Sequence, residues 1–497
     1  MDSFLTEKRK KIILILVFCL AIFLIVFRFT STPKVWVDEG LWTNISENFA
    51  FHGKIALQKA PGEYVPLHLL LSVGYPVIFP VAASMKIFGS GIVQARLPMI
   101  MYMFAFVLLA FLYTYKKFGF YTAIISLLLI ISYSPFYGNG RPVQGEVPGL
   151  FYLLLTAWFL WLLQNTGFNS KKWALLVGVA WGLSASTKPI FFLALSLAIL
   201  LNIVIFNKTI RKNIIPGNIL KILLSIITGF IIPMTFWFET TFPPIKSIFQ
   251  IIPTYLTFIL YFTSDHKSSP IIPTIFHNVM RFFTESTPIL FTLILTTILI
   301  YYIFSYFNKK NNKEADISEW VILLFIIINI LGYLKGTGWY RYFFPAQILV
   351  YILFPFSFFS LLNFYKDGKY KKILLLAPII LIAIQFYHLV FLSDTSMTFR
   401  RTLNTQLSKE LSKIDSDKSI LFYNSVEAVV FLKGSNYSQY IIMDDFLEVG
   451  NKSALLSPKE DFLLVDSRSS ITNFSILCYE SHQISHYLLY NRKSNCK

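Results

Sequence analysis

Cysteine, histidine and charge are all scarce in this chain, and each shortage closes a route to function. Three cysteines in 497 residues exclude a disulfide-dense scaffold, and Cys19, Cys478 and Cys496 lack the spacing of a zinc or redox motif. Cys478 and Cys496 lie in a polar tail, where a bridge or two free thiols are both compatible with the sequence. The seven histidines show no HExxH-like pairing, so no metal cage is written into the spacing. No P-loop, GxGxxG or GxSxG occurs, which argues against nucleotide-powered and serine-hydrolase chemistry. Charged residues make up only 14% of the chain, well below the soluble norm of about 25%.

Apolar and aromatic residues fill the gap. The chain is 55% hydrophobic and 17% aromatic, with 50 phenylalanines and a mean hydropathy of +0.60. Such a composition belongs to a polytopic membrane protein, with the lipid bilayer as its first partner. The net charge of +18 could suggest a nucleic-acid binder, but the cations come as short clusters between apolar runs, without a basic stripe or aromatic platform. No nucleic acid is expected.

A membrane span needs about 20 apolar residues. Runs that approach this length fall near 12–29, 95–115, 119–133, 148–164, 173–188, 190–206, 219–238, 287–307, 319–334, 342–362 and 373–392. The first follows Lys8-Arg9-Lys10-Lys11 and lacks a small-residue cleavage site, so it reads as a retained signal anchor. With about 11 transmembrane helices and a cytoplasmic N-terminus, the basic clusters, including Lys116-Lys117, Lys171-Lys172 and Lys309-Lys310, all fall on the inner side. Residues 64–88, broken by Pro66, Pro76 and Pro80, would reverse that pattern if they crossed. They are therefore expected to be re-entrant or interfacial. Leu41 to Phe51 has amphipathic helical spacing, so the first outer loop should carry juxtamembrane helices. The apolar run Ile245 to Phe262 suggests another interfacial helix.

After Leu392 short apolar runs such as Ser419–Tyr423 and Asp461–Val465 alternate with turn residues, which predicts strands. The expected fold is thus an all-α polytopic membrane domain over 1–392 with a small α/β extracytoplasmic domain over 393–497. Sequons at Asn44, Asn436, Asn451 and Asn473 would then face outward.

Under this topology the polar residues collect on the outer face. Asp38 and Glu39 open the first outer loop, as catalytic carboxylates or as solvated surface. Arg141 and Glu146 flank a Gly- and Pro-rich turn, where they could pair with each other or bind substrate. Lys188 ends a span on the side that lysine avoids, although snorkelling would explain it cheaply. Arg341 stands among Trp339, Tyr340 and Tyr342; an aromatic belt explains the rings but not the cation. Clustered cations would suit an anionic phosphate in the headgroup layer.

The Asp38-Glu39 pair, the amphipathic helix after it, Arg141-Pro142 with Glu146, Thr187-Lys188 and Trp339-Tyr340-Arg341-Tyr342 together resemble the GT-C polyprenyl-phosphate-sugar glycosyltransferases. The resemblance covers roughly residues 1–392 and points to the group of protein O-mannosyltransferases and lipid A aminoarabinose transferases. It implies inverting transfer of a sugar from a polyprenyl-phosphate carrier to a glycan, lipid or protein acceptor at the extracytoplasmic face. Asp38 matches the catalytic carboxylate, with Glu39 as its helper. Arg141, Glu146, Lys188 and Arg341 would bind substrate, and the carrier-side lysine of some relatives matches either Lys59 or Lys86. No cofactor is assigned, and a divalent metal ion is left open. The competing readings are a glycolipid flippase, which needs polar residues along the midplane, and a membrane-anchored glycan-binding protein.

Overall fold

The structure, a computed structural model, describes residues 6–66, 73–205, 218–241, 270–284, 288–310, 316–336, 340–364, 376–393, 403–432, 434–443, 447–450, 458–468 and 478–494, with the single positions 249 and 253. The expected helix at 245–262 lies outside them apart from those two positions, as do His68, Asp265, His266, Glu285 and Trp339.

Each of the eleven expected spans contains a helix among the described residues. In chain order the helices are α1 (Glu7–Val26), α2 (Val37–His52), α3 (Tyr75–Phe88), α4 (Ile92–Phe118), α5 (Phe120–Ser132), α6 (Ser134–Gly140), α7 (Glu146–Asn165), α8 (Lys171–Thr187), α9 (Pro189–Ile205), α10 (Asn218–Thr241), α11 (Ile271–Thr284), α12 (Pro288–Lys310), α13 (Ile317–Lys335), α14 (Tyr340–Phe364), α15 (Ala377–Tyr387) and α16 (Leu403–Leu411). Among the described residues five of these are long and apolar enough to cross a bilayer, or six if α5 and α6, bent by 66° at their junction, count as one. A total of eleven crossings therefore rests on the positions of the apolar runs and not on helix length.

Within 64–88 the described residues hold the end of a short hairpin and α3, with 67–72 outside them. Strands β1 (Leu57–Ala60) and β2 (Glu63–Val65) pair antiparallel, and α3 packs Val77, Val81 and Met85, all fully buried, against its neighbours. Its entry is tied to the end of α8 by the Gly74 N–H, which donates to the Thr187 carbonyl at 3.1 Å. Helix α8 is itself fixed by a close crossing with α10. A Cβ on Gly178 would come within 2.1 Å of the Ile226 carbonyl, and one on Gly229 within 2.2 Å of Leu175 O. Small residues at a crossing let helix backbones approach where no hydrophobic drive separates protein from lipid.

The C-terminal region forms a six-stranded sheet in the order β5-β4-β3-β6-β8-β7. Its strands are β3 (Ile420–Tyr423), β4 (Tyr437–Met443), β5 (Leu447–Val449), β6 (Phe462–Asp466), β7 (Tyr479–Ile484) and β8 (Tyr487–Arg492). β3 runs parallel to both β4 and β6, while the outer pairs are antiparallel. The two strand runs read from the sequence are β3 and β6. Cys478 is disulfide-bonded, Cys19 is free, and Cys496 lies outside the described residues.

Helix α2 departs from its expected setting. Its polar side does not face water: Asn44 and Asn48 are buried, with Asn44 bonded to the sheet. The Asn44 side-chain amide donates to the Tyr437 hydroxyl at 2.5 Å, and Gln58 Nε2 donates to the Ser435 and Tyr437 carbonyls at 2.9 Å each. One hydrophobic cluster joins Leu41 and Ile45 of α2, Val77 of α3 and Ile420, Phe422 and Val426 of the C-terminal region. Amphipathic spacing identifies the helix but cannot tell water from a polar protein surface. Asn44 is accordingly no accessible glycan acceptor.

The closest approach is at Gly40, where a Cβ would lie 2.5 Å from the Glu427 Cα and 2.8 Å from the Val426 carbonyl carbon. These are backbone atoms that cannot swing aside, so Gly40→Ala is expected to destabilise the protein by about 1–3 kcal/mol through overpacking. Thermal unfolding of the purified variant checks this.

Candidate functional site

Four of the charges singled out in the sequence meet at the end of the bundle that carries the sheet. The two carboxylates sit at helix starts. Asp38 lies in the first turn of α2 and Glu146 opens α7, where unpaired backbone N–H groups favour negative charge. Lys188 stands between α8 and α9 with φ −161° and ψ 145°, because a residue before proline is pushed out of the helical region and Pro189 then begins α9. Arg341 lies in the first turn of α14.

These residues form two ion pairs joined into one cluster. Arg341 donates to Asp38, and Lys188 donates to Glu146. The guanidinium of Arg341 lies over the Trp36 ring at 4.6 Å and over the Tyr342 ring at 5.2 Å. The Lys188 ammonium stands 5.7 Å from the same Tyr342 ring. With its amide oriented to suit both neighbours, Gln144 donates to Glu146 Oε2 at 3.1 Å and accepts from the Trp36 indole at 2.7 Å. Lys188 and Glu146 are almost fully buried, whereas Asp38 and Arg341 keep partial access to solvent. The cluster is neutral as a whole, with two cations matched to two carboxylates.

Glu39 and Arg141, also expected at the site, are placed elsewhere. Adjacent helical positions diverge by about 100°, so Glu39 points into the protein while Asp38 faces the cluster. Glu39 accepts a two-pronged bond from Arg96, with Nε to Oε1 at 2.7 Å and Nη2 to Oε2 at 2.7 Å, and both side chains are 0% exposed. Arg96 also donates to the carbonyls of Phe29 (2.6 Å), Thr32 (3.2 Å) and Pro33 (2.9 Å). Arg141 donates to the Leu24 and Phe27 carbonyls at 2.7 and 2.9 Å and to Thr32 Oγ1 at 2.7 Å, closing the open end of α1. Both guanidiniums therefore pin the linker between α1 and α2, and with it the start of the helix that presents Asp38. The spacing gave no hint of Arg96's role, but an arginine inside an apolar run is itself a signal of a buried partner.

The remaining lysines lie apart from this chemistry. Lys59 is 3.7 Å from Glu63 on the hairpin, and Lys86 stands 5.6 Å from the Phe51 ring. Lys117, expected as a topology signal, is buried at the far end of α4, where its ammonium meets Asp316 at 2.5 Å and Glu319 at 2.9 Å. Helix α4 runs 27 residues, so some 40 Å of helix lies along it at ~1.5 Å per residue. A divalent metal at the four-charge cluster would have to compete with Arg341 and Lys188, which already neutralise its two carboxylates.

The sequence profile of the family described as dolichyl-phosphate-mannose-protein mannosyltransferase matches residues 76–237. That window holds Glu146 and Lys188 but neither Asp38 nor Arg341. No curated protein matches the sequence. Among solved structures the chain is similar to ArnT from Cupriavidus metallidurans bound to undecaprenyl phosphate, with a TM-score of 0.62 and 9% identity over 97% of this chain and 98% of that one. It is also similar to the archaeal oligosaccharyltransferase AglB from Archaeoglobus fulgidus in complex with an inhibitory peptide and a dolichol-phosphate, with a TM-score of 0.55 and 11% identity over 100% of this chain and 75% of that one. At such identities the likeness establishes the fold, and the side chains must speak for themselves.

Proposed function

We infer from the GT-C fold and the four-charge cluster that this chain is an integral membrane glycosyltransferase, moving a sugar from a polyprenyl-phosphate carrier to an extracytoplasmic acceptor with inversion at the anomeric carbon. The observation that carries the reading is the pairing of Arg341 with Asp38 beside that of Lys188 with Glu146. In this reading the N-terminus is cytoplasmic, the chain crosses the membrane about eleven times, and the sheet with residues 393–497 stands outside.

The two ion pairs supply a charge exchange. A carrier phosphate entering between them offers Arg341 and Lys188 a new anion, so their hold on Asp38 and Glu146 loosens as the donor seats. Asp38 is then free to take the proton of an acceptor hydroxyl as that oxygen attacks the anomeric carbon. The bond from that carbon to the phosphate oxygen breaks, and the electron pair leaves with the carrier phosphate. No acid is needed at the leaving group, because the two cations stabilise the developing charge. Glu146, held by Gln144 and Lys188, keeps the lysine in place; Glu39 and Arg141 serve as positioning residues through the linker.

The test is transfer from labelled polyprenyl-phosphate monosaccharides by the purified protein. Lys188→Gln should cut transfer by about 10²–10³, as removal of one preorganised charge stabiliser does, with a raised donor KM. A Lys188→Gln enzyme with unchanged donor KM and rate would remove the phosphate from this site.

A further inference from the structure

A second constellation lies in the C-terminal sheet, and the transfer reaction makes no use of it. Glu427, in the 3-10 turn Val426–Phe431, Asp466, at the end of β6, and His486, in the turn between β7 and β8, each offer a ligand atom within 4.8 Å of the others. Glu427 is 3% exposed. Its Oε1 accepts from the Tyr487 hydroxyl, but Oε2 is buried with no hydrogen-bond partner among the described residues. Buried carboxylate oxygens are seldom left so, and an orphan of this kind costs about 1–3 kcal/mol or more.

We propose that Glu427, Asp466 and His486 bind a divalent transition-metal ion that locks the Val426–Phe431 turn against α2, next to the start of the helix that presents Asp38. Two carboxylates and an imidazole are a donor set suited to zinc or manganese. Around a zinc ion, with bonds of about 2.0–2.2 Å, such atoms would stand roughly 3.4 Å apart, so the cluster must close slightly. His486 can supply that movement, being partly exposed in a two-residue turn whose first residue, Ser485, has φ +58°. Burial and the Arg468 guanidinium hold the His486 imidazole below its ordinary range, which keeps it in the neutral form that ligates. Burial pushes the Glu427 carboxyl up, with the neighbouring Asp466 charge adding to the effect, and a cation in the cluster would reverse both costs.

Asp466 is the ligand with a charged competing partner. Arg468 donates to Asp466 Oδ1 from its backbone N at 3.0 Å and from Nε at 2.9 Å, and to Oδ2 from Nη2 at 2.5 Å. The Arg468 side chain is 61% exposed, so it can yield or share, each carboxylate oxygen having two acceptor positions. The backbone of Glu427 rests on Gly40. A metal there would therefore fasten the sheet to the catalytic helix without touching substrate.

The test uses the full-length protein in detergent, stripped with EDTA and then given ZnCl2, MnCl2 or MgCl2. After desalting, metal content is measured by mass spectrometry and unfolding by a thermal scan. Zinc or manganese should be retained at about one equivalent per chain and should raise Tm, since an ion bound only by the folded state stabilises it. Glu427→Gln and His486→Gln should each abolish the retention and the rise. The proposal is overturned if the wild-type protein keeps no more metal than His486→Gln, or if its Tm is the same with and without zinc and manganese. An equal response to magnesium, which favours oxygen ligands, would also overturn it, because the imidazole would then have no part.

Discussion

Asp38→Asn is expected to lower turnover by about 10²–10⁴, the range lost when a positioned general base is removed. The substitution keeps the side chain's shape and removes only its charge and basicity, so Arg341 loses its resting partner while the helix start stays intact. In the proposed mechanism that partner competes with the donor for the guanidinium, so the donor KM should stay level or fall while kcat collapses. Steady-state kinetics against donor concentration separates this from a role in mere positioning of Arg341, which would move KM and leave kcat largely in place. An enzyme that kept full turnover with Asn at this position, at an unchanged Tm, would have its base elsewhere.

The second large effect is expected away from the chemistry. Arg96→Met should destabilise the protein by about 3–5 kcal/mol, because it leaves the Glu39 carboxylate buried and unpaired. It also strips donors from the Phe29, Thr32 and Pro33 carbonyls, so the linker that sets α2 in place loses its anchor. The double replacement Glu39→Leu with Arg96→Met should recover much of the loss, since an apolar pair of similar volume can match a buried ion pair. Thermal or denaturant unfolding of the two single variants and the double variant gives the coupling directly. If Glu39→Gln lowered kcat with no change in stability, Glu39 would belong to the reaction instead of the scaffold.

The pair Asp38-Glu39 displays what a sequence can and cannot settle. Two neighbouring carboxylates after an apolar run read as one feature, yet they point about 100° apart on α2. One faces a cation 303 positions away, at Arg341, and the other a cation 57 positions away, at Arg96. Lys188 was legible as a cation on the side lysine avoids, and its extended backbone follows from Pro189. Arg141 had the same signal but turned out to close the end of α1, because its carbonyl partners leave no trace in residue type.

The sequence by itself determined the class of molecule, the helical character of its apolar runs, two strands of the sheet and the identity of the charges that gather at one end. Those properties depend on composition and on periods of 2 and 3.6 residues, which are local. Only the tertiary structure decided which charge meets which, that Asn44 on the polar side of α2 bonds to the sheet, and that Glu427 rests on Gly40. Ion pairs and close packing join segments far apart in the chain, and their energy comes from burial and geometry that no local pattern encodes.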